Sequence, residues 1–356
     1  MKIAFLNYYQ NGVSRGLETF VGELSGRLAK HHQILVLPSP ADTRPSPRGL
    51  SLLRRFFLDP ASLKVGLWTI KSLAQLNHFR PEIIFSLNGG WQAPICSLYC
   101  RFFGAKLVIP GQSGPGWDDR WNLLMKPHLF VALTKRQLDW AKKATIWKQD
   151  FALIGNGVDL NKFHAALLRT RLRTGKAGKK AKIDLEKPII MIAAASTPDK
   201  RVEQGIRAVA RLTRGSLLLL GQGHLDERIN KLGYKLLGRG RFLHLSVSHD
   251  HMPAYYRSAD LFSLCSVGSE AFGIVYLEAM ATNLPIVATD DASRREIVGG
   301  AGIFVKDPDD TDEYAKAIEK ALTKKWENTP RQQAEKFSWD KIAAQYDQEF
   351  SKIMKP

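Results

Sequence analysis

The sequence predicts an α/β protein of two successive domains, each with a parallel sheet covered on both faces. Three observations predict this. The chain has 356 residues, long for one hydrophobic core and suited to two. Strand-like apolar runs alternate with segments whose apolar residues recur at helical spacing, as in sheets joined by crossover helices. The alternation breaks once, at a basic, glycine-containing stretch from Arg169 to Lys182, and then resumes.

The first series places strands at Ile3–Leu6, Gln33–Leu37, Glu82–Leu87, Lys106–Ile109 and Leu129–Leu133. Between the first two, Leu17, Phe20, Val21, Leu24 and Leu28 fall on one helical face within Gly16–His31. The second series places strands at Pro188–Ala194, Ser216–Leu220, Phe242–Leu245, Leu261–Leu264 and Pro285–Thr289. Its helices are expected near Val202–Leu212, Met252–Ser258, Phe272–Thr282 and Asp310–Leu322, and a last one runs through Trp339–Met354. The domains therefore cover 1–165 and 187–338, with a basic linker at 166–186 that reads either as solvated or as touching a membrane or polyanion. Open sheets bind ligands beyond the carboxyl ends of their strands, and a cleft between two such edges would suit two substrates.

Composition narrows the classes. A hydrophobic share of 44% argues against disorder. The sequence opens on a strand pattern with no charged leader, and no apolar run reaches the roughly 20 residues that span a bilayer, so a cytoplasmic location is expected. Cys96, Cys100 and Cys265 are an odd, small set, expected as buried free thiols in a reducing compartment. The formal charge of +18 suits anionic lipid, nucleic acid or phosphorylated substrates without choosing among them.

The stretch Leu261–Asp290 carries the most chemistry. A buried strand leads through Gly268, Ser269 and Glu270 into a helix beginning near Phe272 or Gly273, with Asn283 and Pro285 ending it. A helix start after a strand presents unpaired N–H groups and a positive dipole end, which favours phosphate. Gly273 removes the side chain where backbone approaches a ligand. Glu270 and Glu278 stand roughly 8 Å apart along such a helix, far enough to reach different hydroxyls of one ligand. Glu278 lies among apolar residues, where a buried carboxylate needs a hydrogen-bonded partner. The plainer alternative is an acid at a helix start and a half-exposed Glu278.

Glu270-Ala-Phe-Gly-Ile-Val-Tyr-Leu-Glu278 resembles the Glu-x7-Glu motif of retaining GT-B glycosyltransferases of family 4, also called glycosyltransferase group 1. The resemblance continues through Ala279–Asp290, Glu296–Val298 and Gly302–Val305. It also takes in Arg15-Gly-Leu-Glu18, Ile154-Gly-Asn-Gly-Val-Asp159, Gly221-Gln-Gly223 and Phe337-Ser-Trp339. It implies two Rossmann-like domains, with a final helix at about 339–356 returning to the first. It also implies transfer, with retention, from a nucleotide sugar such as a UDP- or GDP-sugar to a hydroxyl acceptor. Glu270 would approach the donor sugar's hydroxyls. Backbone at Phe272, Gly273 and Ile274 would hold sugar and diphosphate, and Glu278 the ribose. Lys200 and the backbone of Gly16 would attend the leaving diphosphate. Read alone, Lys200 is a surface lysine and Gly16 a turn glycine.

No metal is expected, since Lys200 and helix-end amides supply positive potential where charge develops. The acid pairs Asp118-Asp119 and Asp290-Asp291 and the run Asp307-Pro-Asp-Asp310 read as surface, turn or cap acids. Some positions depart from the family pattern. Ala195 stands where an arginine is usual, with Arg201 as a candidate substitute; Gly155 replaces a proline and Arg15 a glycine. On the acceptor side, Pro110-Gly-Gln-Ser-Gly-Pro-Gly-Trp117 lacks the usual histidine and offers Gln112 or Ser113 near its place. Trp117 is either a sugar-stacking residue or a core one.

Three rival functions stand beside this one. A dinucleotide oxidoreductase needs a third glycine where Gly221-Gln-Gly223 has Asp226. A nucleic-acid binder would show a recognisable module, and none is read here. A non-catalytic sugar-nucleotide binder is made credible by Ala195. The charge also makes an anionic membrane a candidate partner, at the inner face, with Ser51-Leu-Leu-Arg-Arg-Phe-Phe-Leu58 as contact or as a helix packed on the first domain.

Overall fold

The computed structural model describes residues 1–10, 16–38, 56–165, 185–267 and 271–355. The chain divides into two compact units, residues 1–157 with 339–356, and residues 158–338. Of the expected linker, residues 166–184 lie outside the described residues.

In the first unit the order is β1 (Lys2–Asn7), α1 (Gly16–Leu28), β2 (Gln33–Pro38), α2 (Pro60–Phe79), β3 (Ile83–Ser86), α3 (Gln92–Phe103), β4 (Lys106–Pro110), α4 (Trp117–Leu124), β5 (Leu129–Ala132), α5 (Lys135–Ala144) and β6 (Asp150–Leu153). The six strands form a parallel sheet in the order β2-β1-β3-β4-β5-β6, with Phe5 opposite Val36 and Phe85. Nearly every residue of β1, β3 and β5 is buried, as a sheet covered on both faces requires. One face packs against α1 and the last helix of the chain (Trp339–Ile353), through Phe20, Leu24, Trp339, Tyr346 and Phe350. The other packs against α2 and α3 through Val65, Trp68, Leu76, Cys96 and Tyr99. Cys96, Cys100 and Cys265 are buried free thiols, and burial drives all three thiol pKa values up.

α2 is the longest of the elements that sequence patterning missed. Asp59 caps it, accepting from the N–H of Ala61 and Ser62, with Pro60 in the first turn and Arg80 in the left-handed region closing it. Val65, Trp68, Thr69, Ser72 and Leu76 face inward, while Leu63, Leu67 and Ile70 are exposed on the opposite side. Apolar residues on both sides blur the helical period.

The second unit runs β7 (Ile189–Ala193), α6 (Val202–Arg211), β8 (Ser216–Leu220), α7 (Asp226–Leu237), β9 (Phe242–Leu245), α8 (Met252–Ser258), β10 (Leu261–Leu264), α9 (Ile274–Ala281), β11 (Ile286–Thr289), α10 (Ala292–Val298), β12 (Gly302–Val305), α11 (Thr311–Thr323) and α12 (Thr329–Ala334). Trp339–Ile353, in the first unit, is then α13. The strands of the second unit are parallel in the order β12-β11-β10-β7-β8-β9. β6 and β12 close one edge of each sheet, and neither was foreseen as a strand.

α9 is apolar almost all round and lies in the core, with Tyr276 to Ala281 buried. It ends in a Schellman turn: Leu284 N–H donates to the Ala279 carbonyl and Asn283 N–H to that of Met280, with Asn283 at φ +62°. Asn283 thus ends the helix as its sequence position suggested.

Candidate functional site

The strand-loop-helix unit β10–α9 sits at the carboxyl end of the second sheet. As the chain leaves β10, Ser266 and Val267 are pinned from three sides. Thr289 Oγ1 donates to the Ser266 carbonyl at 2.7 Å, and Arg294 Nη2 donates to Ser266 Oγ at 2.7 Å and to the Val267 carbonyl at 2.9 Å. Val267 N–H donates to the Asp199 carbonyl at 2.8 Å, tying this exit to the turn that carries Lys200. Arg294 is fully buried and pairs with Asp291 at 2.6 Å, so a charge-assisted bond offsets its desolvation. Gly268, Ser269 and Glu270 lie outside the described residues.

α9 begins one residue later than the sequence suggested. Gly273 stands before it at φ +87°, a conformation that costs a side-chain-bearing residue about 1–2 kcal/mol. No side chain among the described residues caps this N-terminus. Phe272 is buried against Phe337, with ring centroids 6.1 Å apart, and Ile274 is half-buried.

Glu278, one turn further, is only 3% exposed, so the half-exposed reading does not hold. Its carboxylate has the partners that burial demands. Tyr256 Oη donates to Oε2 at 2.8 Å, and His249 Nε2 lies 2.7 Å from Oε1. Burial first, and then the Glu278 carboxylate, push the Tyr256 phenol well above its usual pKa, so it stays a donor. Phe163 closes the cluster, its ring centroid 5.7 Å from that of His249 and 5.8 Å from that of Tyr256. Arg331 holds the Phe163 segment by donating to the carbonyls of Leu160, Phe163 and Ala281. Sequence reasoning missed His249, Tyr256, Phe163 and Arg331. Its only signal was the demand of a buried carboxylate for donors.

Lys200 ends a short 3-10 turn (Pro198–Lys200) after β7, half-buried, with Nζ 3.7 Å from Asp199. Ala195 is exposed at the exit of β7. Arg201, the candidate substitute for the missing arginine, pairs with Asp309 at 3.4 Å. The acids of the second unit behave as expected: Asp291 and Asp310 cap α10 and α11, and Asp290 pairs with Arg295.

In the first unit Gly16 opens α1 and is exposed. Gln112 and Asn156, from the loops after β4 and β6, form a reciprocal amide pair at 3.0 and 3.3 Å. Ser113 is exposed, and Trp117 opens α4 at 41% exposure, so Trp117 is not a core residue.

Asp119 corrects the expectation of surface acids. It is fully buried beneath the loop after β4, where Gln137 Nε2 donates to it at 2.7 Å. Desolvation lifts its pKa from 3.8 to about 7, against the lowering by Gln137 and Asn122. The folded state therefore binds a proton that the unfolded state has lost between about pH 4 and pH 7. Stability falls as pH rises across that window, by about 1.4 kcal/mol per unit at most. Asp119→Asn is expected to flatten this slope in urea unfolding measured at pH 4.5, 5.5 and 6.5. An unchanged slope would assign it to other groups.

Residues 175–338 match the family model described as Glycosyl transferases group 1. This matched region is somewhat less than half of the chain. Over 173 residues, 44% of the chain and 43% of the relative, it is 31% identical to an uncharacterised glycosyltransferase of Methanocaldococcus jannaschii. It is 33% identical over 175 residues to the phosphatidyl-myo-inositol mannosyltransferase of Mycolicibacterium smegmatis, covering 48% of the chain and 42% of the relative. The match thus spans less than half the length of these curated relatives. Two solved structures share the fold over nearly their whole length. Sucrose-phosphate synthase from Thermosynechococcus elongatus superposes with a TM-score of 0.76 at 17% identity, covering 99% of this chain and 98% of that one. Anabaena HepE in complex with UDP-glucose superposes with a TM-score of 0.74 at 18% identity, covering 99% and 100%. The fold is GT-B. Within the matched residues, the exit of β10, which leads toward Gly273 and α9, is tied to the turn that carries Lys200 by the hydrogen bond from Val267 N–H to the Asp199 carbonyl.

Proposed function

We propose that the protein is a retaining glycosyltransferase that moves a sugar from a nucleoside diphosphate to an acceptor hydroxyl, without a metal. The observation that carries this is Glu278, a carboxylate buried and held by two donors, one turn behind a helix N-terminus that no described side chain caps, with Gly273 before it. Such a unit suits a ribose and a diphosphate at once. In this reading the amides of Gly273 and Ile274, with the Phe272 backbone, cradle diphosphate and sugar. Glu270 binds the sugar's hydroxyls, and Lys200 and the Gly16 backbone stabilise the charge that develops on the departing diphosphate. An oxygen of that diphosphate takes the acceptor proton on the same face, which retains configuration. Double displacement would need two carboxyl groups about 5 Å apart, one free to attack; Glu278 is instead bound to Tyr256 and His249. Gln112, Ser113 and Trp117 form the acceptor side. The structures of relatives bound to UDP-glucose and ADP support a nucleotide-linked donor.

A thermal-shift panel of UDP, GDP, UDP-glucose, UDP-N-acetylglucosamine and GDP-mannose tests the donor site. Selective stabilisation that Glu278→Ala loses supports it and names the donor class. A second reading, a non-catalytic or degenerate sugar-nucleotide binder, is favoured by Ala195 and by the pairing of Arg201 with Asp309. Donor binding with no turnover against any acceptor would establish it.

We also infer that the protein works at an anionic membrane surface, on a lipid- or envelope-linked acceptor. No helix among the described residues is long and apolar enough to cross a membrane. The exposed stripe Leu63, Leu67 and Ile70 on α2 adjoins Lys64 and Lys71, and α2 contains no acidic residue. Phe56 and Leu58, just before it, are also exposed, whereas Phe57 is buried. Of the segment 51–58, only these three are described. Changing Leu67 and Ile70 together to Asp is expected to weaken flotation with phosphatidylglycerol vesicles at least about tenfold, since each apolar side chain contributes roughly 1.5 kcal/mol or more when buried. The unfolding midpoint should hold. Equal flotation of both proteins would remove the membrane reading.

A further inference from the structure

Glu278 has a second layer behind it. His249 Nε2 lies 2.7 Å from Glu278 Oε1, and on the far side of the same ring Nδ1 lies 3.4 Å from Lys162 Nζ. A lysine ammonium is a donor only, so it needs a lone pair on Nδ1. A carboxylate is an acceptor only, so it needs a hydrogen on Nε2. One arrangement of His249 meets both neighbours, with hydrogen on Nε2 and the lone pair on Nδ1. Lys162 is itself held by Asp250 at 2.9 Å, and the ring is packed by Phe163. Of the ionisable groups nearby, Tyr256 donates to the opposite oxygen of Glu278, and His251 Nδ1 lies 2.8 Å from Ser248 Oγ.

We propose that His249 is a positioning residue for Glu278, oriented by Lys162, and that this chain of groups fixes the carboxylate for the two hydroxyls of a ribose. The proposal rests on the donor-site reading above and deepens it. One donor on each oxygen stops the carboxylate from rotating and leaves each oxygen a lone pair to accept a further hydrogen bond. A ribose presents a pair of adjacent hydroxyls to two such acceptors, and a 2′-deoxyribose presents one. Without His249, Oε1 loses its fixed position, and discrimination between the two sugars falls while the diphosphate contacts remain. Only Glu278 of this chain stood out from the sequence. Lys162 and His249 reach it from segments well before it in the chain, one of them the continuation of the Asn-Gly-Val-Asp motif.

The test uses the full chain and titration calorimetry with UDP, GDP and ADP and their 2′-deoxy counterparts. The wild type should prefer the ribonucleotide of its preferred base by about tenfold or more, as expected for a lost hydrogen bond to a charged acceptor. His249→Leu should reduce that preference to about threefold or less, with the deoxynucleotide binding as before. His249→Gln, which keeps an amide donor for Glu278 and a carbonyl for Lys162, should restore most of it. If His249→Leu keeps the wild-type preference while Glu278→Gln loses it, the positioning role falls and the donor site stands. If the wild type binds none of the nucleotides, the donor-site reading falls and this proposal with it. A second measurement needs neither a variant nor a ligand. Nitrogen-15 spectra of histidine-labelled protein should show hydrogen on Nε2 of His249, and hydrogen on Nδ1 would overturn the assignment.

Discussion

Glu278→Ala is expected to destabilise the second unit by about 2–4 kcal/mol and to remove nucleotide binding. Two donors lose their acceptor together, and each buried donor left unsatisfied costs about 1–3 kcal/mol. Tyr256 is fully buried and keeps only the Val275 carbonyl at 3.4 Å, so it bears most of the penalty, while His249 is partly exposed and bears less. For a unit of this size the unfolding midpoint should drop by roughly 2–4 °C for each kcal/mol. Glu278→Gln separates the two effects. Its carbonyl still accepts from one donor, but its amide nitrogen faces the other, so part of the stability returns while the ribose contact does not. Chemical denaturation of the two variants, with and without the stabilising nucleotide, is the measurement. Wild-type stability in Glu278→Ala would mean that the carboxylate is not buried as described here.

Gly221→Ala should be as damaging for a different reason. Gly221 follows β8 at φ +142°, and a Cβ there would overlap the Ala194 carbonyl oxygen and come within 2.8 Å of its carbon. Both are backbone atoms, so no side chain can swing aside. The exit of β7 must move, and with it the turn that carries Lys200. Overpacking of this kind typically costs 1–3 kcal/mol, and a strained backbone position adds about 1–3 more. The variant should unfold at lower urea and bind nucleotide more weakly even where it is folded. Gly240→Ala is the control, since a Cβ there meets nothing within 4 Å. Equal midpoints for the two variants would contradict the close approach.

How far the sequence could be read depended on how local the determinants are. Ser216–Leu220, Phe242–Leu245 and Leu261–Leu264 coincide with observed strands because each is a short apolar run between turn-forming or polar residues. Met252–Ser258 coincides too, its start marked by Pro253 in the first turn. α2 escaped because its exposed face is as apolar as its buried one. Asp119 was taken for a surface acid because nothing local reveals that Gln137 and the loop after β4 enclose it. At the proposed donor site the glycine, the helix start and Glu278 were legible in one contiguous stretch. Tyr256 and His249, which make a buried Glu278 tenable, come from segments 22 and 29 residues away in the chain, and no periodicity links them.

The most direct test of the central claim is transfer itself. The purified full chain would be incubated in EDTA with the nucleotide sugar that stabilises it best and with candidate acceptors, a phospholipid-linked polyol among them. Nucleoside diphosphate release would be followed, and the new linkage read by proton NMR from the first turnovers. The account predicts acceptor-dependent release without added metal, a product that keeps the donor's anomeric configuration, and loss of both in Glu278→Ala. A product of inverted configuration, or turnover that EDTA abolishes, would contradict it.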